Sequence, residues 1–408
     1  MHVMTRAFAA RALAFPVSTV ASLGTTALVI RTTGAEVYAA IMLVGTIFTL
    51  MPFADLGAGA LIVNTFARPR STRSDRRRVS ARVFRLLLMS ALVVGVIGWL
   101  GTSAWSWASL LGMPGSGHVV DLATAWVVTL FALSIPLSIG NRMLVGSGRA
   151  AVAILLAPVG SIVALLLSWL ISSMGFVPIW FSLALPAGNL FAQALGLVVG
   201  LRVSGLGLPD LVRHSDFPLR EVLSTSAPMF LIMVTLPFAM NSHRIILSHL
   251  STAAELARYS LSMQFYQPLW SFISAAATPL WPLWASIRDR PEAARAAFSR
   301  TLWALAGLGV GSLVGLLLFG DWMGDLLSDQ AIYLGLPLLA VTGVLLLVQA
   351  LQQAPGMFLT WPGGLKFQSV GAVCATAVSL IGSVALCPVL GSLGPAVSTS
   401  VGVLLAQT

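Results

Sequence analysis

Stretches of about 20 mostly apolar residues, the length a helix needs to cross a hydrocarbon core of roughly 30 Å, recur along this chain almost without pause. The approximate spans are 8–30, 37–66, 84–105, 120–140, 150–172, 177–201, 225–248, 256–284, 300–320, 332–360, 367–388 and 390–406. They consume most of the sequence. Of the 408 residues, 57% are apolar and only 9% charged, where soluble domains carry roughly 25% charged residues. Mean hydropathy is +0.92. The sequence therefore predicts an all-α, polytopic membrane protein of about twelve spanning helices with no soluble catalytic domain. The first span is too long for a signal-peptide core, lacks a small-residue cleavage site and is followed at once by a second, so it reads as a retained helix.

The basic residues orient these helices. With the N-terminus inside, all of the 23 Lys and Arg residues except Arg31, Arg244 and Arg258 fall on the cytoplasmic side, as the positive-inside rule requires for an even number of spans. Both termini are thus expected in the cytoplasm. A net charge of +10 does not imply nucleic acid here, because the arginines punctuate apolar segments instead of lining a groove-binding face. The densest cluster, Arg68, Arg70, Arg73, Arg76, Arg77, Arg78, Arg82 and Arg85, reads as a loop that sets orientation and touches anionic lipid. Recruitment of a partner protein is the rival reading.

The longest internal hydrophilic segment, about 205–222, divides the chain into an N-terminal six-helix bundle at 1–204 and a C-terminal one at 223–408. Thr33, Ala35, Glu36 and Val37 recur at one constant offset as Thr252, Ala254, Glu255 and Leu256. Both copies follow an outward-running helix, as a parallel repeat demands.

An ionisable group in the bilayer costs roughly 2.5–3.5 kcal/mol even on the gentler insertion scales, so it normally faces the bundle interior or water. Asp55, beside Pro52, Gly57 and Gly59, is a candidate for coupling or gating, against a purely structural role. Asn241, Ser242, His243 and Arg244 fill a whole turn of the seventh span; they either line a lumen that receives an anion or cap the outer end of the helix. Ser260, Gln264, Gln267, Ser271, Ser274 and Thr278 fall at intervals of three and four on the eighth, which places them on one face. Shorter stripes run through Arg11, Ser18, Ser22 and Thr25, through Ser182, Asn189 and Gln193, and through Thr342, Gln349 and Gln353. Four stripes favour a shared hydrated cavity over simple interhelical hydrogen bonding. Gly307, Gly311 and Gly315 read as a small-residue face for close helix approach.

No phosphate-binding glycine loop and no nucleophile with a nearby base can be nominated, so a transporter is expected instead of an enzyme. Cys374 and Cys387 have no metal-ligand spacing, and neither a metal nor a cofactor is expected. Asp321, Asp325 and Asp329 read as a solvated helix end; the rival is the metal face of a membrane glycan polymerase or glycosyltransferase.

Particular segments resemble a known family. The stretch Phe53-Ala54-Asp55-Leu56-Gly57-Ala58-Gly59-Ala60-Leu61, ending in Ala67-Arg68, is similar to the second-helix signature of polysaccharide flippases in the multidrug/oligosaccharidyl-lipid/polysaccharide (MOP) exporter superfamily. So are Asn241 to Ser248, then Ala254, Glu255 and Tyr259, then Pro279 and Pro282. The family usually carries an acidic residue where His243 stands here. The resemblance implies a V-shaped pair of six-helix bundles of the MATE kind in the plasma (inner) membrane. It further implies flipping of a polyprenyl-diphosphate-linked oligosaccharide by alternating access during surface polysaccharide synthesis, beside a glycan polymerase and glycosyltransferases. On that reading Arg11, Arg31, Arg244, His243 and Asn241 bind the substrate, Arg244 and Arg11 at its phosphates. Gln264 and Gln267 meet sugar hydroxyls, and Asp55 gates or couples. A cation-coupled multidrug exporter of the same fold is the alternative.

Overall fold

The computed structural model describes residues 2–49, 59–68, 71–113, 118–213, 238–277, 291–359 and 362–405. The described residues are helical nearly throughout, as a chain must be when lipid offers its backbone no hydrogen bonds. Eight helices among them are long and apolar enough to cross a membrane, and two shorter apolar helices accompany them. Contacts divide the chain into two compact units, Met1–Thr33 with Ala40–Pro237, and Gly34–Ala39 with Phe238–Thr408.

The first unit holds α1 (His2–Thr33), α2 (Ala35–Thr49) from Ala40 onward, α3 (Gly59–Ala67), α4 (Arg73–Leu100), α5 (Trp107–Leu110), α6 (His118–Leu137), α7 (Ile139–Gly146), α8 (Ala150–Ser173), α9 (Ala184–Ser204) and α10 (Leu208–Val212). Its outward surface is apolar: Leu92 is 69% and Trp169 61% exposed, which suits lipid and not water. Glycines let backbones meet. A Cβ on Gly188 of α9 would stand 3.1 Å from Ala164 Cβ of α8, and one on Gly160 would stand 3.0 Å from the Gly188 carbonyl oxygen.

Two features of this unit differ from the sequence reading. The arginine cluster is mostly helix, because Thr72 and Asp75 form a capping box that starts α4 at Arg73, well ahead of its apolar run. Asp75 Oδ2 accepts from the Thr72 amide at 3.0 Å and the Thr72 hydroxyl at 2.7 Å. These bonds, with Arg78 nearby, hold its carboxyl below the usual range. The start of the hydrophilic segment after residue 204 is also not a free linker. Leu206 and Leu211 join the core formed by Ile62, Phe66, Val79, Val83, Leu87 and Met143, and the Arg85 guanidinium donates to the Arg213 carbonyl.

The second unit holds residues 34–39, α11 (238–250), α12 (Ala253–Ala277), α13 (Pro291–Ser328), α14 (Leu336–Phe358), α15 (Pro362–Leu390) and α16 (Leu393–Leu405). The two copies of the short repeat each open a helix, α2 at Ala35 and α12 at Ala253. Helices α13 and α14 pack through Gly309 against Leu347, Gly320 against Leu339, and Gly343 against Leu313. Gly307, Gly311 and Gly315 do not serve this contact: a Cβ on any of them would meet no atom within 4 Å. The small-residue spacing was real, but the neighbouring helix lies on the face carrying Gly309 and Gly320.

Candidate functional site

The polar residues of the second unit converge on α11 and α12. His243 of α11 is fully buried. Its Nδ1 lies 3.0 Å from the Tyr259 hydroxyl on α12 and its Nε2 3.0 Å from the Ser379 hydroxyl on α15. Ser379 and Thr399 of α16 share a hydrogen bond of 2.7 Å, and one turn on, Ser383 and Ser398 share another of 2.7 Å. Hydroxyls both donate and accept, so a neutral imidazole finds partners for both nitrogens. Four helices are joined through one ring.

Arg244, half-buried, is next in the chain and lies within electrostatic range of His243, Tyr259 and Tyr38. The Gln264 side chain of α12 lies against Tyr38, and two residues on, the buried Tyr266 hydroxyl donates to Gln349 of α14. The chain has four tyrosines. Three of them, Tyr38, Tyr259 and Tyr266, are buried in this unit, an unusual density of polar rings for the inside of a lipid-facing bundle. Along α12 the polar stripe opens by degrees, from buried Ser260 through half-buried Gln264 to exposed Gln267 and Ser271.

At the N-terminal end of α12, Glu255 pairs with Arg258 at 2.7 Å and accepts the Ser392 amide at 2.7 Å, while Arg258 Nη2 donates to the Leu334 carbonyl at 2.8 Å. Burial alone raises the Glu255 carboxyl; the Ser392 hydrogen bonds and the Arg258 charge outweigh it and leave the group below its ordinary value. Asp321 accepts the Gly335 amide at 2.9 Å, which ties α13 to the residue that precedes α14. No group of three or more possible metal ligands occurs among the described residues.

Of the residues singled out from sequence, the structure brings Asn241, His243, Arg244 and Gln264 together on α11 and α12, with Gln267 on the exposed continuation of the stripe. Arg11 and Arg31 lie exposed on α1 in the first unit. Twenty helical residues separate them, about 30 Å at 1.5 Å per residue, so they do not grip one phosphate group together. Asp55 lies outside the described residues. The stripe through Ser182, Asn189 and Gln193 is partly used within its own unit, where Asn141 Nδ2 donates to Gln193 Oε1 at 2.8 Å. Tyr38, Ser379 and Thr399 were not found from sequence. The scarcity of tyrosine was the available signal for the first; the two hydroxyls carry none, since such residues satisfy themselves on their own helix, as Thr399 also does with the Pro395 carbonyl.

The described residues form an all-α, multi-pass membrane protein, and its fold is shared by solved structures of transporters. An inward-facing multidrug resistance MATE family transporter of the MOP superfamily superposes with a TM-score of 0.73 at 17% identity, covering 95% of this chain and 92% of that one. The lipid II flippase MurJ, in an inward closed conformation, gives 0.70 at 14% identity, covering 97% and 85%. A MOP superfamily transporter from Pyrococcus furiosus, described as having a binding pocket of reverse polarity, gives 0.64 at 17%, covering 99% and 93%. At such identities the likeness concerns the fold. Among curated proteins no relative matches. The sequence pattern of the polysaccharide biosynthesis protein family matches residues 12–330, and the chain belongs to that family.

Proposed function

We propose that this protein is a membrane transporter that flips a lipid-linked oligosaccharide, of the polyprenyl-diphosphate type, from the cytoplasmic to the outer leaflet of the plasma membrane. It acts by alternating access, with both termini in the cytoplasm. The observation that carries this reading is Arg244, a half-buried cation within electrostatic range of the buried Tyr38 and Tyr259, with Gln264 bonded to Tyr38. In a medium of low dielectric, guanidinium selects phosphate by charge and by paired N–H donors, whereas a wall for cationic drugs needs anions. Gln264 and Gln267 offer amides to sugar hydroxyls, and His243 holds α11 in place from behind. Asp55 is assigned to coupling or gating, and Arg11 and Arg31 to successive phosphate contacts near the two faces of the membrane. Family membership supports the glycan as cargo. A glycan polymerase and the glycosyltransferases that build the cargo are the expected pathway partners.

The test is reconstitution of the full chain in liposomes with a labelled polyprenyl-diphosphate oligosaccharide in one leaflet. Arrival of label in the opposite leaflet is expected. Movement of cationic dyes without movement of the labelled lipid sinks the proposal and favours a multidrug exporter of the same fold.

A further inference from the structure

We propose that the first three turns of α4 form a docking surface for the phosphate headgroups of anionic phospholipids. The helix has 28 residues, about 42 Å at 1.5 Å per residue, against a hydrocarbon core of roughly 30 Å. Its run free of charged residues begins only at Leu86, which puts the turns from Arg73 to Arg85 at headgroup level. One side of these turns is anchored: Val79, Val83 and Leu87 are part of the first unit's core. The guanidinium groups occupy the remaining surface.

Several of these groups have duties inside the protein. Arg76 stacks over the Phe66 ring, 5.4 Å from its centroid, Arg85 donates to the Arg213 carbonyl, and Arg78 lies near Asp75. Asp75 is the only acid between residues 68 and 85, and its carboxylate is already engaged by the cap. Arg73, Arg77 and Arg82 make no ion pair with a described residue. Arg82 is half-buried, and its Nε is buried with no hydrogen-bond partner. Guanidinium groups without a carboxylate partner in the protein attract anions, and phosphate oxygens are the anionic acceptors that a membrane surface supplies at this depth. Charge complementarity thus selects anionic lipid for a surface that already has its protein contacts.

The full chain is placed in nanodiscs of phosphatidylcholine with phosphatidylglycerol, and bound lipid is measured by native mass spectrometry. The wild type is expected to retain phosphatidylglycerol over phosphatidylcholine and to release it as salt rises. The triple variant Arg73→Gln, Arg77→Gln, Arg82→Gln is expected to bind it more weakly, on the order of 100-fold. The corresponding triple Lys variant is expected to recover most of the binding, which separates charge from misfolding. Equal retention of the two lipids by the wild type, or retention unaffected by salt, overturns the proposal. So does binding of inorganic pyrophosphate in place of phosphatidylglycerol, which gives the surface to a diphosphate instead.

Discussion

His243 and Tyr259 face one another across α11 and α12, Nδ1 to hydroxyl at 3.0 Å with their rings edge to face, centroids 6.2 Å apart. On the far side of the imidazole, Nε2 meets Ser379 at 3.0 Å and Thr399 at 3.4 Å. The ring is therefore surrounded by the protein's own hydroxyls. Substitution His243→Ala removes a buried ring and takes from the Tyr259 hydroxyl its imidazole partner. It is expected to destabilise the fold by about 2–4 kcal/mol, read as an earlier thermal unfolding transition in detergent. His243→Gln, which offers a donor and an acceptor, is expected to recover part of that loss.

Arg244 should affect transport more than stability. Arg244→Gln keeps much of the side-chain volume while removing the cation. Translocation of the labelled lipid is expected to fall about 10- to 100-fold with the unfolding transition little changed. Arg244→Lys is expected to be intermediate, since a point charge replaces a planar fork. An unchanged rate in Arg244→Gln removes this residue from the substrate path.

The clamp of Glu255 and Arg258 at the start of α12 makes stability depend on pH. The folded carboxyl of Glu255 titrates below its ordinary 4.5, so the folded state favours the charged form. This contribution is complete above about pH 5 and is lost as pH falls through the lowered value. The melting temperature should thus hold level above that point and decline below it. Glu255→Gln is expected to flatten part of that acid decline while lowering stability near neutral pH, because Arg258 loses its 2.7 Å partner.

Helices α8 and α9 tolerate no added carbon at their closest approach. On Gly188, a Cβ would overlap the Gly160 carbonyl oxygen and stand 3.0 Å from the Ala164 amide nitrogen, and backbone does not yield as a side chain does. Gly188→Ala is expected to cost about 1–3 kcal/mol, measured by thermal unfolding. Gly307→Ala, where nothing lies within 4 Å, is expected to be neutral or slightly stabilising, because alanine has the higher helix propensity.

The sequence by itself determined the class of structure: a chain with 57% apolar and 9% charged residues has no soluble core to form, and lipid leaves its backbone only helices. It also marked α11 and α12, because a turn of Asn241, Ser242, His243 and Arg244 and a stripe through Ser260, Gln264 and Gln267 are too polar to face lipid. Where helix α4 starts was hidden, since hydropathy registers the apolar run from Leu86 and not the Thr72 cap. Which glycine face packs, Gly309 and Gly320 instead of Gly307 and Gly311, was equally hidden, since both faces carry small residues. Above all, the partners of His243 were decided by the tertiary structure. Tyr259, Ser379 and Thr399 come from three helices as far as 156 residues away, and periodicity along one helix holds no information about the helix that stands opposite it.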